Sequence, residues 1–376
     1  MSFWRQAVPR KQILKSARRI VVKIGTSIIT EDGRVSTNKI SRLVSDIVAV
    51  MKAGREVIVV SSGAISSGAG ALGKSREALT IPEKQALAAV GQIALMNEYR
   101  KCFQWEGFEV GQILLTEDDV NNRRRFLNAR HTIETLLGFG VVPVVNENDS
   151  VVVKEIKFGD NDTLSAHVAS LVNADLLVLL SDVDGFYRDL SDPHPVYEIR
   201  EINDDVRSRA GGTGTVHGTG GMMTKIRAAE MTIRCGEKMI IASGRQEGIL
   251  SRILAGEKVG TLFMGEKRPV ASRKRWIALA VRTCGKIKID EGAVRAVRAN
   301  KKSLLASGIV AASGKFDLGD AVEIVDADDR PVGKGIVNYN VRELKLIMGK
   351  KTAEIREILG GTYFDEVINR DNLIVY

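Results

Sequence analysis

Short apolar runs alternate with segments of helical spacing along the first two thirds of the chain. Runs rich in β-branched and aliphatic residues predict buried strands at 20–27, 57–60, 110–115, 141–145 and 175–180. Between them, apolar residues recur every three or four positions, which predicts helices at 38–53, 79–106, 126–137 and 164–172. This alternation is typical of an α/β fold with an open, mostly parallel sheet sandwiched by helices.

The pattern changes twice in the second half of the chain. Residues 210–224 hold six glycines and lead through Lys225 into a helix that runs to about 236. A strand at 239–242, a helix at 249–255 and a strand at 260–263 complete this region. From 285 onward, turn residues recur about every ten positions, which predicts a small β-barrel covered by helices at 291–300 and 341–347. The predicted domains are a basic tail (1–19), an α/β domain (20–266), a linker (267–279) and the barrel (280–376).

The composition indicates a globular protein that stays in the cytoplasm. Of the 376 residues, 44% are hydrophobic and 27% are charged, and no apolar run approaches the ~20 residues needed to span a bilayer. Residues 1–19 lack the apolar segment of a secretory signal. The cysteines Cys102, Cys235 and Cys284 are odd in number and far apart, which argues against a disulfide framework or a zinc site.

The positive charge lies at the two ends of the chain. The net charge is +9, residues 1–20 carry six Lys or Arg and no acid, and residues 271–376 carry 19 basic against 14 acidic residues. Such a surplus is compatible either with RNA binding by the C-terminal part or with an ordinary solvated surface.

Two polar clusters follow apolar segments and are the first candidates for chemistry. Asn146 to Asp149 close one predicted strand, and Asp160 to Thr163 open the next predicted helix. Ligands of open α/β sheets bind beyond the carboxyl ends of the strands. The alternative is that these residues only make turns and helix caps.

Two lysines beside glycine turns indicate a phosphate site. Lys23 lies near the end of the first strand, next to Gly25, and Lys225 follows the glycine-rich loop at a helix start. Backbone N–H groups and positive helix ends favour anions. The chain contains neither a Walker A pattern nor a dinucleotide fingerprint after the first strand. A mobile surface loop and a lysine extending to solvent are the alternatives.

Two other chemistries have no support in the sequence. The four histidines (131, 167, 194 and 217) show no second histidine at ligand spacing, so a histidine-based zinc site is not expected. The stretch Ser62 to Ser66 does not match the Gly-x-Ser-x-Gly nucleophile elbow. Covalent hydrolase chemistry is therefore not expected.

Taken together, these stretches resemble the amino acid kinase family, and within it the branch that phosphorylates glutamate. The branch is indicated by Asn-Glu-Asn-Asp (146–149) followed by Gly-Asp-Asn-Asp (159–162). The other matching stretches are 21–27, 60–65, 126–130, 180–187 and 218–225. His217 departs from the family pattern, which expects an apolar residue there. Residues from about 280 resemble a PUA domain, best at 286–293 and 303–309.

The resemblance implies a reaction, ligands and regulation. The reaction is ATP-dependent phosphorylation of the L-glutamate side-chain carboxylate to L-glutamyl 5-phosphate, the first step of proline biosynthesis, with feedback inhibition by proline. Mg²⁺ would be bound by ATP rather than by protein ligands, and a homo-oligomer is expected. A related acyl-phosphate kinase acting on N-acetylglutamate and an RNA-binding PUA protein are the alternatives.

The resemblance also implies site residues. The catalytic residues are Lys23, Lys225 and Asp162, and the glutamate-binding residues are Ser62, Asp149 and Asn161. The ATP-binding residues are Lys23, Ser181, Asp182, Thr219, Gly220, Gly221, Met222, Met223, Thr224 and Lys225. A glutamate carboxylate with a pKa near ~4.3 is ionised at neutral pH, so a catalytic base is not required.

Overall fold

A computed structural model of the chain describes residues 10–31, 33–75, 79–151, 161–189, 191–210, 221–265, 283–299, 302–360 and 364–376. The chain divides into two compact units, Met1–Pro269 and Val270–Tyr376. Each unit has a hydrophobic core of its own.

The first unit contains ten strands and eleven helices within these described ranges. The strands are β1 (Arg19–Ile24), β2 (Thr30–Glu31), β3 (Arg34–Val35), β4 (Glu56–Ser61), β5 (Val110–Leu115), β6 (Val142–Glu147), β7 (Leu176–Ser181), β8 (Glu198–Ile199), β9 (Lys238–Ser243) and β10 (Thr261–Met264). The helices are α1 (Arg10–Lys15), α2 (Thr26–Ile29), α3 (Thr37–Lys52), α4 (Ala64–Leu72), α5 (Ile81–Trp105), α6 (Glu117–Asn121), α7 (Arg123–Gly138), α8 (Asn161–Leu171), α9 (Asp204–Ala210), α10 (Met222–Arg234) and α11 (Ile249–Ala255).

Eight of the strands form one open sheet in the order β5-β6-β4-β1-β7-β9-β10-β8. All neighbouring pairs are parallel except β9 with β10. In the centre of the sheet, Val22 of β1 lies between Val59 of β4 and Val178 of β7. The predicted α/β class with an open, mostly parallel sheet is confirmed.

The central strands are apolar because both of their faces are covered. On one face, Ile20, Val22 and Ile24 of β1 belong to a buried cluster that includes the apolar stripe of α3 and the residues Tyr99 and Phe103 of α5. Strands covered on both faces need apolar side chains at consecutive positions rather than at alternate ones. This requirement explains why the strand signals in the sequence are continuous runs.

Two short elements differ from the sequence prediction. The first strand ends at Ile24, and Thr26–Ile29 form the helical turn α2, in which Ile28 and Ile29 are buried. A short apolar run does not distinguish a strand from a buried helical turn. The segment predicted as a basic tail contains α1, whose residues Ile13 and Leu14 are buried.

The helices α4 and α5 cross at two glycines. A β-carbon at Gly91 would lie 1.8 Å from the Ala64 carbonyl oxygen, and one at Gly68 would lie 1.9 Å from the Leu87 carbonyl oxygen. Both positions therefore require glycine at this backbone separation. The sequence analysis did not predict α4, because its Ala, Ser and Gly residues lack a clear apolar stripe.

The second unit is a five-stranded sheet with three covering helices in its described part. Its strands β11 (Thr283–Ile289), β12 (Ile309–Gly314), β13 (Ala321–Val325), β14 (Pro331–Ile336) and β15 (Leu373–Val375) lie in the order β12-β11-β13-β14-β15. Its helices are α12 (Glu291–Arg298), α13 (Val341–Ile347) and α14 (Thr352–Leu359). Among these five described strands, only β11 and β13 pair in parallel. No helix in the described part of either unit is long and apolar enough to cross a membrane.

Candidate functional site

The predicted site residues gather at the carboxyl ends of four neighbouring parallel strands. These strands, β6, β4, β1 and β7, lie side by side in the sheet. Lys23 is the second-last residue of β1, Ser62 directly follows β4, and Asn146 and Ser181 lie in the last two positions of β6 and β7. Parallel pairing thus brings together positions that are far apart in the sequence.

Asp162 lies between two lysine ammonium groups. Its Oδ1 is 2.6 Å from Lys23 Nζ, and its Oδ2 is 3.2 Å from Lys225 Nζ. The hydroxyl of Thr224 lies 2.9 Å from the same Oδ2. The carboxylate of Asp162 is fully buried, and both lysines are more than nine-tenths buried. One carboxylate from α8 therefore holds lysines from β1 and α10 in one cluster.

The cluster carries a net positive charge in a place that excludes water. Burial alone would raise the pKa of Asp162, but the charges of Lys23 and Lys225 outweigh it and hold the pKa below its ordinary value. Asp162 is therefore ionised at neutral pH. One negative charge between two positive charges leaves an excess of one positive charge, which suits a phosphate group.

The start of α10 adds a second anion-binding feature. Gly221 is the N-cap of this helix, and no side chain caps it among the described residues. Met222, Met223 and Thr224 form the first turn, which precedes Lys225. The first N–H groups of a 13-residue helix and its positive end favour an anion, although the N–H of Thr224 also donates to the Gly221 carbonyl oxygen at 3.2 Å. Thr219 and Gly220 lie outside the described residues.

Ser181 and Asp182 lie at the end of β7. The hydroxyl of Ser181 donates to Asp182 Oδ1 at 3.0 Å, and the main-chain N–H of Gly244 donates to the Ser181 carbonyl oxygen at 2.9 Å. The bonds tie the tip of β7 to the residue that follows β9. The pair therefore occupies the same edge of the sheet as the lysine cluster.

Asn161 connects the ends of β4 and β6. Its Nδ2 lies 2.8 Å from Ser62 Oγ, 3.2 Å from the Ser61 carbonyl oxygen and 3.0 Å from Asn146 Oδ1. Its own Oδ1 is buried and has no hydrogen-bond partner among the described residues. A buried acceptor of this kind is costly unless a ligand supplies a donor.

Glycine 63 shapes the turn between β4 and α4. Gly63 has φ +108°, a left-handed conformation that L-residues with a β-carbon rarely adopt. The turn directs the chain from Ser62 into α4 without an intervening loop. Ser62 is thereby held at the strand end, where Asn161 reaches it.

Asp149 lines a cavity beside these residues. The cavity has a volume of about 210 Å³. Its polar lining comes from the end of β6 and the residues after it (Glu147, Asn148, Asp149, Ser150), from Gln92 of α5 and from Gln112 of β5. The volume and the mixed polar lining are compatible with a small polar molecule such as an amino acid.

No group of three or more metal-ligating side chains occurs in the part of the chain that the structure describes. Both carboxylate oxygens of Asp162 already face lysine ammonium groups. The donor set at the centre of the site therefore fits an anionic ligand.

Comparison with known proteins identifies the family. The sequence profile of the amino acid kinase family matches residues 18–243. The chain belongs to the amino acid kinase family. The profile of the PUA domain matches residues 285–359 of this kinase, which confirms the resemblance of its C-terminal part.

Two curated relatives match this amino acid kinase over nearly its whole length. The glutamate 5-kinase of Syntrophotalea carbinolica is 49% identical over 97% of this chain and 99% of its own. The glutamate 5-kinase of Caldanaerobacter subterraneus is 48% identical over 95% of this chain and 97% of its own. Among solved structures, a carbamate kinase of Giardia aligns with 67% of this chain and 100% of its own, at 18% identity and a TM-score of 0.48.

The sequence analysis did not identify three side chains that support the cluster around Asn161. Gln92 accepts a hydrogen bond from Asn146 Nδ2 at 2.9 Å, and Tyr99 Oη lies 2.9 Å from Ser61 Oγ. Gln92 and Tyr99 come from α5, and Ser61 ends β4. One available signal was the polar residue Gln92 among the Ala and Leu residues of a long apolar helix.

Proposed function

We propose that this kinase transfers the γ-phosphoryl group of ATP to the side-chain carboxylate of L-glutamate, forming L-glutamyl 5-phosphate in the first step of proline biosynthesis. The observation that carries the proposal is the pair of buried lysines held by Asp162 at the strand ends. The names of the curated relatives support the choice of substrate.

The proposed reaction is an in-line transfer between two oxygens. A glutamate carboxylate oxygen forms a bond to the γ-phosphorus as the bond to the bridging oxygen of ADP breaks. The nucleophile is already ionised at neutral pH, so no proton has to be removed. The protein therefore contributes positioning and positive charge.

The lysine cluster supplies that positive charge. We assign Lys23 to the transferred phosphoryl group and Lys225 to the nucleotide phosphates. Asp162 holds both ammonium groups and does not accept a proton, since the two lysines keep its pKa low against the effect of burial. Fixed charges in a site that excludes water stabilise the negative charge that develops in the transition state, because they are already oriented before the reaction.

The nucleotide is assigned to the adjoining loop and strand tip. The start of α10 and the residues before it, Thr219 to Lys225, would hold the phosphates through N–H groups and Lys225. Ser181 and Asp182 would contact the rest of the nucleotide. When bound to ATP, Mg²⁺ would neutralise charge on the phosphate oxygens. The residues of the site would then contact the complex of Mg²⁺ and ATP.

The amino acid is assigned to the cluster around Asn161. Ser62 and Asn161 lie within one hydrogen-bonded group, and Asp149 lines the cavity beside it. At neutral pH the α-ammonium is the only hydrogen-bond donor of glutamate. We therefore assign the α-ammonium to Asp149 and to Oδ1 of Asn161, which has no hydrogen-bond partner among the described residues.

Substitution of the two lysines tests the proposed reaction. Lys23→Ala and Lys225→Ala should each lower kcat for glutamate-dependent ADP release by about 100-fold or more, because each removes a fixed charge from the transition state. Lys52→Ala is the matched control, because this lysine is 60% exposed and pairs only with Glu106 among the ion pairs of the described residues. Wild-type turnover in the Lys23 variant would contradict the assignment.

A substrate panel tests the amino acid. Glutamate should be phosphorylated in preference to N-acetylglutamate and aspartate. The acetyl group would remove the positive charge that we assign to Asp149, and aspartate is one methylene shorter. A preference for N-acetylglutamate would instead support the related acyl-phosphate kinase.

We also propose that proline inhibits the kinase at or beside the glutamate site, as the family resemblance implies. Proline should then raise the glutamate KM, and Asp149→Asn should weaken glutamate and proline together. Inhibition that persists unchanged in this variant would place proline elsewhere.

Assembly, RNA binding and the cytoplasmic location stay predictions. A homo-oligomer is expected, and light scattering measures the molar mass in solution that tests this expectation.

RNA binding through the basic C-terminal part should weaken steeply with salt. A filter-binding titration of the full chain at two salt concentrations tests this alternative.

A further inference from the structure

The helix α5 sends two polar side chains from one of its faces to the strand ends. Gln92 accepts from Asn146 on β6, and Tyr99 contacts Ser61 on β4. Residues seven positions apart lie on the same face of a helix. The proposed mechanism uses neither side chain. Of the two, Gln92 lines the cavity beside Asp149 and is also connected to Asn161 through the side-chain amide of Asn146.

The orientation of Asn146 follows from its neighbours. The main-chain N–H of Glu147 donates to Asn146 Oδ1 at 2.9 Å. An N–H group cannot accept, so this atom is the amide oxygen and Nδ2 faces Gln92 Oε1. Asn146 is only 1% exposed, and Gln92 Oε1 is the acceptor that its Nδ2 contacts among the described residues. Loss of Gln92 would leave a buried donor unpaired and favour rotation of Asn146.

The orientation of Asn161 follows from Asn146. The oxygens Asn146 Oδ1 and Ser61 O both lie within 3.2 Å of Asn161 Nδ2. Since both are acceptors, Nδ2 must face them, and Oδ1 points the other way. This Oδ1 is the buried oxygen that has no partner in the described part of the chain. It is therefore available to accept from a substrate donor.

We infer that Gln92 is a positioning residue for the amino-acid substrate: by holding the amide of Asn146, it turns Asn161 so that its Oδ1 accepts from the substrate α-ammonium. The inference rests on the proposed glutamate kinase function and deepens it. Because the connection runs to the amino-acid site, Gln92 acts on glutamate binding and leaves phosphoryl transfer unchanged.

The test compares two leucine substitutions on the same helix in the full chain. Gln92→Leu should raise the glutamate KM about threefold to tenfold, the effect of one hydrogen bond, with kcat and the ATP KM within about twofold of wild type. Gln104→Leu is the matched control, since Gln104 is exposed and donates to Glu109 at 3.0 Å away from the site. Its kinetic constants should match those of the wild type.

A double-mutant cycle tests whether Gln92 acts through Asn161. In an Asn161→Ala background, adding Gln92→Leu should change kcat/KM for glutamate by less than about twofold. Gln92→Met removes the same amide and repeats the measurement if the leucine variant does not fold.

Three results would overturn the inference and leave the proposed function standing. They are an unchanged glutamate KM in Gln92→Leu, a parallel loss of kcat and ATP affinity in that variant, or fully additive effects of Gln92→Leu and Asn161→Ala on kcat/KM. Absence of glutamate-dependent ADP release by the wild-type chain would overturn the proposed function and the inference with it.

Discussion

At the scale of single residues, the site is organised by one buried carboxylate. Asp162 contacts Lys23, Lys225 and Thr224 and has no exposed surface. Removing one partner of a buried ionic cluster leaves the other charges uncompensated. Asp149, by contrast, lines a cavity, and we propose that it binds the substrate.

Alanine substitutions should separate these two carboxylates. Asp162→Ala should mainly lower kcat, by about 100-fold, because the lysines lose their fixed position. Asp149→Ala should mainly raise the glutamate KM, because it removes a partner of the α-ammonium. Steady-state kinetics with glutamate and ATP varied in turn measures both effects. The division of roles is wrong if the two variants show the same pattern.

The low pKa of Asp162 also predicts a dependence of stability on pH. A carboxylate whose folded-state pKa is depressed stabilises the fold above its unfolded value near ~4, and this stabilisation is lost as the pH falls through the folded value. The difference in unfolding free energy between wild type and Asp162→Asn should therefore be largest at neutral pH and shrink below about pH 4. Urea titrations at pH 3 to 7 measure it. A constant difference would contradict the depressed pKa.

At the scale of elements, the crossing of α4 and α5 connects packing with the site. Helix α4 begins directly after Ser62 and Gly63, and α5 carries Gln92 next to Gly91. The close approach at Gly91 leaves no space for a β-carbon. The position of the amino-acid site thus depends on two glycines that do not contact the substrate in our assignment.

Gly91→Ala should destabilise the fold and weaken glutamate binding. The added methyl group would force α4 and α5 apart, at a cost of about 1–3 kcal/mol in unfolding free energy. Gly138→Ala, at the end of α7, is the matched control, because nothing lies within 4 Å of its β-carbon position. Alanine is the better helix former, so the control should be neutral or slightly stabilising. Equal urea midpoints for the two variants would contradict this role of Gly91.

At the scale of the whole molecule, the chain consists of two units with separate cores. All the described residues that we assign to the reaction lie in the first unit. The second unit carries the PUA match and contributes none of them. The boundaries of the tail, linker and barrel stay predictions.

A chain ending at Pro269 should therefore fold and retain catalysis. Its kcat and its KM for glutamate should lie within a few-fold of the full chain, since the core and the lysine cluster are complete without the second unit. Circular dichroism establishes folding, and ADP release measures activity with and without proline. A folded but inactive truncated chain would show that the second unit is needed for the reaction.

Much of this organisation was predictable from the sequence because its signals are local. Continuous apolar runs identify the central strands, and Lys23, Asp162 and Lys225 stand in motifs that resemble one family. The sequence therefore determined the α/β class, the order of the longer strands and helices, and the candidate site residues. It did not reveal α1, α2 or α4, because short apolar runs and small residues carry no distinct period.

The tertiary structure alone decided which of these residues meet. Asp162 and Lys225 are 63 positions apart, and Gln92 and Asn146 are 54 positions apart. Parallel pairing places Lys23 and Asn146 at one edge of the sheet. The helices α8, α10 and α5 bring Asp162, Lys225 and Gln92 to that edge. Contacts of this kind depend on backbone separation and on hydrogen-bond direction, which no local pattern of residues specifies.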